Sequence, residues 1–417
     1  MKHIEIMSPV GSYEALMAAV QAGAGSVYFG VGKLNMRSKS SQNFSLADLE
    51  TIAGICRENN INSYVTINTV VFDSELKEMR ELIDAVKTHG ISAIIASDQA
   101  VIQYARKQGV EVHLSTQTNV TNIEAVKFYA QFADVMVTAR ELSIDQVAEI
   151  TKAIKEHNIC GPAGELIRIE IFVHGALCTA VSGKCYLSLD MMNSSANRGA
   201  CLQPCRRGYT VKDKDEEVEM DIEHEYIMSP KDLNTLAFLD KIIHAGVEVL
   251  KIEGRGRSPE YVKTVTLVYH EAVEAVLEGT FTPDKVEKWN ERLASVYNRG
   301  FWDGYYLGKK IGQWTENYGS QATERKVFVG TVQNFFAKLS VAEIKMETQS
   351  LSKQDKILII GPTTGVYEGS AEEIRVELQA VSETKKGEHC SIPVSNVVRR
   401  GDKVYKLVKA SILEIKE

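Results

Sequence analysis

Four cysteines lie close together near the middle of the chain, at Cys178, Cys185, Cys201 and Cys205. Thiolates are soft ligands, and four that converge can complete a tetrahedral zinc site or hold an iron–sulfur cluster. Their spacing, Cys-x6-Cys-x15-Cys-x3-Cys, matches neither the usual zinc-finger pattern nor the ferredoxin pattern. The spacing alone therefore leaves three interpretations open, namely zinc, a cluster and unligated thiols.

The segment that carries these cysteines, residues 174–209, favours a cluster over zinc. It is rich in Gly, Ser and Asn and has no sustained helical or strand period. Small residues let backbone N–H groups approach sulfur atoms, and such hydrogen bonds tune clusters. The remaining cysteines, Cys56, Cys160 and Cys390, are scattered along the chain, and we interpret them as ordinary thiols in a reducing compartment.

Short β-branched segments that alternate with amphipathic helices must position this loop. The stretch SLADLETIAGICRENN predicts a helix with Ser45 as its N-cap, and SELKEMRELIDAVKTHG predicts one that ends at Gly90. Strands that alternate with helices at this pace indicate parallel βαβ units, and eight of them favour a closed TIM-like (β/α) barrel over a doubly wound open sheet. The predicted strands are Ile4–Met7, Ser26–Phe29, Ser63–Ile67, Ala93–Ala96, Glu111–Leu114, Asp134–Val137, Arg168–Val173 and Glu248–Ile252.

Polar residues or glycines follow nearly every predicted strand, on the face where such barrels place their chemistry. Loops are polar in any case, so each of these residues taken singly is more typical of a loop than of a site. As a ring, however, they indicate a polar pocket at the mouth of the barrel. Its candidate functional residues are Gln117, Arg140, His174, Glu253, Arg255 and Arg257.

For several of these candidates, two interpretations are open. His174 is either a hydrogen-bonded structural residue at a strand end or a proton donor and substrate anchor, since imidazole titrates near neutral pH. Glu253 and Arg255 either pair with each other, or Arg255 joins Arg257 in binding an anion. Guanidinium forks suit both the carboxylates of a small dianion and an RNA phosphate. We favour Glu253 as catalytic, Arg255 and Arg257 as anion-binding, and Gln117 and Arg140 as further substrate contacts.

The chain has 417 residues and a formal net charge of -7, so the molecule as a whole is not a polyanion binder. An RNA partner would need a local basic patch and aromatic side chains to stack an extruded base. No apolar segment approaches the ~20 residues that span a bilayer, and the first residues lack signal-peptide features, so we expect a cytoplasmic protein without a membrane anchor. The patch candidates are Arg206, Arg207, Arg255, Arg257, Arg399, Arg400 and Lys403, with Tyr209, Phe301, Trp302 and Tyr305 as stacking candidates.

The pattern changes twice after the cysteine loop. We expect a barrel from residues 1 to 257, a helical extension over 258–322 and a small antiparallel β-barrel over 323–417, where short alternating segments are separated by turn signals. The charged stretch 212–225 is predicted as an exposed hairpin.

Ten residues of one pattern lie at and around the first two cysteines: Glu170, Phe172, Gly175, Ala176, Leu177, Cys178, Gly183, Cys185, Leu187 and Ser188. With this pattern the segment resembles the signature of the collagenase-like peptidase family U32. The similarity continues in SPVGSYEALMAAVQAGAGSVYFG, HLSTQTNV, SPKDLN and VEVLKIEGRGRSPEYV, which cover most of the chain. Within the family, the sequence resembles the bacterial tRNA hydroxylation proteins that install 5-hydroxyuridine at the wobble position.

This resemblance implies a TIM-like barrel and an oxygen-sensitive 4Fe-4S cluster on Cys178, Cys185, Cys201 and Cys205, the last of which varies most as a ligand among family members. It also implies tRNA as partner and prephenate, a small-molecule dianion, as oxygen source; ribosomal RNA and quinone precursors are the alternative substrates. The chain contains neither HExxH nor GxSxG, so the sequence gives proteolysis little support.

Overall fold

The structure is a computed structural model and describes residues 4–210, 226–308 and 313–410. The predicted hairpin at 212–225 lies outside these described residues. Strands alternate with helices through the first two thirds of the chain, as expected for βαβ units.

Ten strands build the first sheet: β1 Glu5–Pro9, β2 Ser26–Gly30, β3 Asn62–Ile67, β4 Ala93–Ala96, β5 Glu111–Leu114, β6 Val135–Val137, β7 Arg168–Gly175, β8 Asp232–Asn234, β9 Val249–Ile252 and β10 Phe301–Trp302. Neighbouring strands from β1 to β7 pair in parallel, and β9 closes the ring by pairing with both β7 and β1. These eight strands form the predicted closed barrel. The short strands β8 and β10 were not predicted; β8 pairs antiparallel with the end of β7 and parallel with β10.

The helices of the described residues are α1 Tyr13–Gln21, α2 Leu49–Glu58, α3 Leu76–His89, α4 Gln99–Gln108, α5 Ile123–Tyr129, α6 Ile144–Glu156, α7 Leu187–Met192, α8 Leu239–His244, α9 Pro259–Leu277 and α10 Pro283–Ser295. Ser45 precedes a 3₁₀ turn that leads into α2, and Gly90 ends α3 with φ +70°, a conformation that glycine adopts without strain. No helix in the described part of the chain is long and apolar enough to cross a membrane.

The interval predicted as a helical extension contains α9 and α10. Buried side chains of both helices, such as Tyr261, Val265 and Trp289, belong to the same hydrophobic core as the barrel strands. Helix α9 also packs against α1. The two helices therefore form part of the outer layer that covers the barrel.

The C-terminal region is an antiparallel sheet of eight strands with its own core: β11 Glu324–Phe336, β12 Val341–Met346, β13 Lys356–Gly361, β14 Gly365–Ser370, β15 Ile374–Val376, β16 Gln379–Val381, β17 His389–Pro393 and β18 Lys403–Lys409. It docks on the α1 and α9 side of the barrel. Gln21 Nε2 donates to Thr364 O at 2.8 Å, and Lys326 pairs with Glu260 at 2.8 Å. The sheet is thereby attached to the barrel wall through helix residues.

Candidate functional site

A cavity of about 270 Å³ lies at the C-terminal ends of the barrel strands. Its wall includes Asn68 after β3, Gln117 after β5, Arg140 after β6 and Glu253 after β9. This is the face where TIM barrels hold their active sites. The volume is close to the lower end of small-molecule sites, about 300 Å³, so the cavity is of a size that binds small molecules.

All four clustered cysteines line this cavity. Cys178 is exposed, and the other three are partly buried. Burial, helped by the neighbouring thiols, raises the pKa of Cys201 and of Cys205. Among the described residues, no three His, Cys, Asp or Glu side chains are arranged to hold a single metal ion. The cysteines thus share one cavity without converging as tightly as ligands of one ion would.

The cysteine loop is fastened to the loops that follow β2 and β3. Gly199 O accepts from Lys39 N at 3.2 Å and from Ser38 Oγ at 3.1 Å. Gly199 has φ +74°, and a side chain there would collide with Asn35 O, so only glycine fits. Arg198 pairs with Glu75 beside the same contact. The position of the cysteines is therefore set by barrel loops.

Glu253 pairs with Arg37. It does not form the ion pair with Arg255 that was one of the two interpretations of the sequence. Arg37 Nη2 lies 2.6 Å from Glu253 Oε1, and both side chains line the cavity. Burial raises the pKa of Glu253, but Arg37, Arg140 and Arg255 outweigh it and lower the pKa to about 2. The carboxylate is therefore ionised at neutral pH and can hold cations in place.

Arg255 and Arg257 point to different walls of the cavity. Arg255 is buried, donates from Nη1 to Thr66 Oγ1 at 2.9 Å, and has its pKa lowered to about 10 by burial. Arg257 is half-buried and lies 3.8 Å from Asp232 Oδ2, with its guanidinium 3.7 Å from the centre of the Tyr297 ring. The two arginines do not form one fork.

A group of arginines lies around Asp232, on the side of the cavity that Arg257 faces. Arg299 Nη1 lies 3.3 Å from Asp232 Oδ1, and Arg257 approaches the other oxygen. Arg206 lines the same cavity and donates to Leu177 O, Pro230 O and Ser229 Oγ at 2.6, 2.5 and 3.1 Å. Arg206 is also close enough to Asp232 for an electrostatic interaction, so three guanidinium groups lie near one carboxylate.

The deeper wall is formed by side chains that follow or belong to β6, β7 and β9. Lys251 Nζ pairs with Glu170 at 2.7 Å and lies 4.6 Å from the centre of the Tyr28 ring. Arg140 stacks 3.9 Å from the centre of the Phe172 ring, and its buried Nε has no hydrogen-bond partner among the described residues. A donor in this position is suited to an anionic ligand.

Gln117 and His174 differ in their position relative to the cavity. Gln117 lines the cavity, and its Oε1 accepts from Ser115 Oγ. His174 does not line the cavity; its ring packs among Tyr261, Tyr269 and Phe301 at 5.6–6.1 Å between centres. Burial, together with Arg257, lowers its pKa to about 3, so the imidazole is neutral at pH 7. A catalytic role for His174 stays a prediction, and this position favours packing.

The residues expected to bind RNA do not lie together in the structure. Arg399, Arg400 and Lys403 are exposed on the C-terminal region and do not line the cavity, whereas Arg207 is exposed beside the cysteine loop. The stacking candidates are engaged elsewhere, since Trp302 is buried against Tyr305 and Tyr209 donates to Pro204 O, while Phe301 packs on His174.

The cavity wall is strongly cationic. In the described residues, a single carboxylate, that of Glu253, lines it against seven cationic side chains. Such a lining attracts anions and balances the charge of thiolate ligands. Three of the cations had not been singled out from the sequence, namely Arg37, Lys251 and Arg299; the full set is Arg37, Arg140, Arg206, Lys251, Arg255, Arg257 and Arg299.

Comparison with known proteins agrees with this architecture. Residues 11–316 match the model of peptidase family U32. A protein named collagenase from Porphyromonas gingivalis is 58% identical over 97% of this chain and 98% of its own length. A tRNA hydroxylation protein of Bacillus subtilis is 30% identical over 87% of this chain and 84% of its own length. The 23S rRNA 5-hydroxycytidine synthase of Escherichia coli is 34% identical over 66% of this chain and 40% of its own length.

These relatives carry the names of enzymes, and two of them are named for the hydroxylation of RNA. The match to the family model covers the barrel from α1 onward, the cysteine loop and helices α9 and α10, and it begins just after β1. The family resemblance expected from the cysteine signature is thereby confirmed, and the chain belongs to peptidase family U32.

Proposed function

We propose that this chain is a cytoplasmic iron–sulfur enzyme that hydroxylates carbon 5 of the wobble uridine of tRNA, with prephenate as oxygen donor. The observation that carries the proposal is one cavity at the barrel mouth, lined by four cysteines and seven cationic side chains. Thiols suit a redox-active group, and the cations suit anionic substrates. Relatives named for RNA hydroxylation support the reaction type.

The residues that would hold the cluster are Cys178, Cys185, Cys201 and Cys205. A four-iron cluster keeps its thiolates further apart than a single ion does, because irons and sulfides lie between them. Four thiols that share a cavity without converging on one point are consistent with this requirement. When bound, the cluster would supply a redox-active iron next to the substrate.

The chain's own residues would bind and orient the dianion. Arg255 presents a buried cation on one wall, and Arg140 offers the unpartnered Nε on another. Glu253 holds Arg37 in place without acting as a proton donor, since its carboxyl is ionised at neutral pH. Gln117 supplies an amide group for a neutral polar contact.

RNA would present a single extruded nucleotide to this cavity. A volume of about 270 Å³ admits a base but not a folded nucleic acid. Arg207, exposed next to the loop, adds positive charge outside the cavity. The choice of tRNA over ribosomal RNA rests on the tRNA-named relative, which aligns with most of this chain.

A peptidase is the second candidate, because a relative named collagenase is 58% identical. A cysteine peptidase needs a thiolate beside a histidine base. In the described residues the buried ring of His174 is flanked by aromatic rings, and none of its recorded contacts is to a cysteine. The cavity therefore supports hydroxylation better than peptide cleavage.

Nucleoside mass spectrometry tests the proposal. The chain is expressed in a bacterial strain that lacks its own tRNA uridine hydroxylases, and total tRNA is digested. We expect 5-hydroxyuridine with wild type and with Cys56→Ala, whose cysteine is buried and does not line the cavity, and none with Cys178→Ala. Unmodified tRNA with wild type contradicts the proposal. New hydroxycytidine in ribosomal RNA, or cleavage of denatured collagen by homogeneous protein, would identify the alternative.

Isotope labelling tests the oxygen donor separately. In single-turnover assays under oxygen-18 gas with unlabelled prephenate, the new hydroxyl should carry no label, and product should require prephenate. Incorporation of oxygen-18 from the gas, with prephenate dispensable, would refute prephenate as donor.

A further inference from the structure

We infer that the cavity contains a second anion site, formed by Arg206, Arg257 and Arg299 around Asp232, which binds a backbone phosphodiester of the RNA whose base enters the cavity. This inference rests on the proposed function for the identity of the RNA. It gives Arg299 a role in RNA binding. It also assigns Arg257 to the RNA phosphate, whereas Arg255 binds the small dianion.

The geometry gives the site its own framework. Arg299 and Arg257 contact opposite oxygens of Asp232 at 3.3 and 3.8 Å. The Tyr297 ring lies 3.7 Å from the Arg257 guanidinium and 5.2 Å from that of Arg299, measured to its centre. Asp232 is 1% exposed and belongs to β8. A buried carboxylate and an aromatic ring thus hold two guanidinium groups side by side.

The charges at this site are unbalanced. Asp232 is one carboxylate, whereas Arg206, Arg257 and Arg299 carry three positive charges. The recorded hydrogen bonds of Arg206 go to two carbonyl oxygens and a hydroxyl, which do not neutralise it. Three neighbouring cations that share one counter-charge repel one another. An oxyanion would relieve this repulsion.

A phosphodiester fits the site better than a carboxylate of the small dianion. Arg206, Arg257 and Arg299 are half-buried, whereas Arg255 is buried and turned towards Thr66 on β3. When a base is extruded into a pocket, its flanking phosphates remain further out than the base. A guanidinium group can donate two parallel hydrogen bonds to phosphate oxygens. The guanidinium groups of Arg257 and Arg299, which the Tyr297 ring holds in place, are preorganised to do so.

Binding of RNA to the anaerobically purified full chain tests the site. The probe is a fluorescent anticodon stem-loop with uridine at the wobble position, titrated at several salt concentrations. Arg299→Gln should weaken binding about tenfold and reduce the slope of log affinity against log salt by about 0.7, the value for one lost phosphate contact on a single strand. Arg292→Gln removes an arginine that pairs with Glu271 away from the cavity, and should change neither quantity.

Asp232→Asn distinguishes a binding site from a structural ion pair. Asn keeps a side-chain oxygen that accepts from the guanidinium groups but removes the competing negative charge, so RNA affinity should rise, whereas structural damage would lower it. Arg255→Gln should raise the KM for prephenate and leave RNA affinity unchanged.

Failure of this inference and failure of the proposed function give different results. If Arg299→Gln leaves RNA affinity and its salt slope unchanged, or weakens prephenate binding alone, the inference is wrong even if wild type hydroxylates the RNA. Weaker binding by Arg299→Gln, with stronger binding by Asp232→Asn, supports the phosphate site even if no hydroxylated product forms.

Discussion

Arg37 Nη2 lies 2.6 Å from Glu253 Oε1, and this ion pair joins the loop after β2 to the end of β9. Both side chains line the cavity that also contains Cys178, and their side chains are only 25% and 13% exposed. The pair therefore connects two segments of the cavity wall that are far apart in the sequence.

Breaking this pair should destabilise the protein. Arg37→Gln leaves the Glu253 carboxylate without its nearest counter-charge, and we expect a loss of about 2 kcal/mol in the free energy of unfolding. The double variant Arg37→Gln with Glu253→Gln should lose less than the two single variants together. Urea unfolding measures all three. Lys77→Gln, from a pair with Glu81 whose side chains are 89% and 58% exposed, is the control and should cost less than about 0.5 kcal/mol. Additive effects at Arg37 and Glu253 would contradict the coupling.

His174 should make stability dependent on pH. Its pKa is about 3 in the folded protein and 6.5 when the imidazole is exposed to water, so below pH 6.5 the unfolded chain binds a proton that the folded chain does not. The folded state therefore loses stability as pH falls from about 6.5 towards 3. Between pH 6.5 and pH 5, His174→Gln should lose about 2 kcal/mol less than wild type. Parallel stability curves for the two proteins would show that His174 is not neutral and buried.

Arg255→Ala should weaken binding of the prephenate dianion without disturbing the cysteines. Loss of a buried guanidinium contact with a carboxylate costs about 2–5 kcal/mol, equivalent to a factor of tens to thousands in affinity. We expect hydroxylation to fall by that factor while iron content stays at the wild-type level, measured on the same preparation. Wild-type activity in this variant would remove Arg255 from the site.

The barrel could be predicted because its strands are consecutive buried β-branched residues between turn signals. Predicted and observed bounds agree at β4 and β5 and differ by one or two residues at one or both ends of the other six barrel strands, most at β1 and β7, which end two residues later than predicted. Strands β8 and β10 contain three and two residues, too few for a periodic pattern to appear. Their pairing depends on the neighbouring end of β7, which local sequence does not show.

The site could be predicted only in part, because proximity along the chain says little about which wall a side chain faces. Lys251 did leave a signal, a lone cation inside the apolar run VEVLKI, which indicates a charge facing the barrel interior. Arg37 and Arg299 left none, since both lie in polar loops. His174 was placed correctly at a strand end, but alternate strand residues face opposite sides, and its ring faces away from the cavity.

Replacement of the cysteines should separate ligands from ordinary thiols. We expect Cys178→Ala, Cys185→Ala and Cys201→Ala to lose iron, and Cys205→Ala to do likewise. Cys390→Ala, which removes a thiol buried in the core of the C-terminal sheet, should keep wild-type iron. Visible absorption and iron assay on anaerobic preparations measure the outcome. Full iron content in the Cys185 or Cys201 variant would contradict the proposed ligand set.

The central claim is that the cavity at the barrel mouth holds a four-iron cluster, and elemental analysis of anaerobically purified wild-type protein tests it most directly. Iron, acid-labile sulfide and zinc are measured on the same sample, together with the visible spectrum before and after reduction. The account predicts about four irons and four sulfides per chain, with a broad absorption band that bleaches on reduction. Stoichiometric zinc with no iron or sulfide would contradict it.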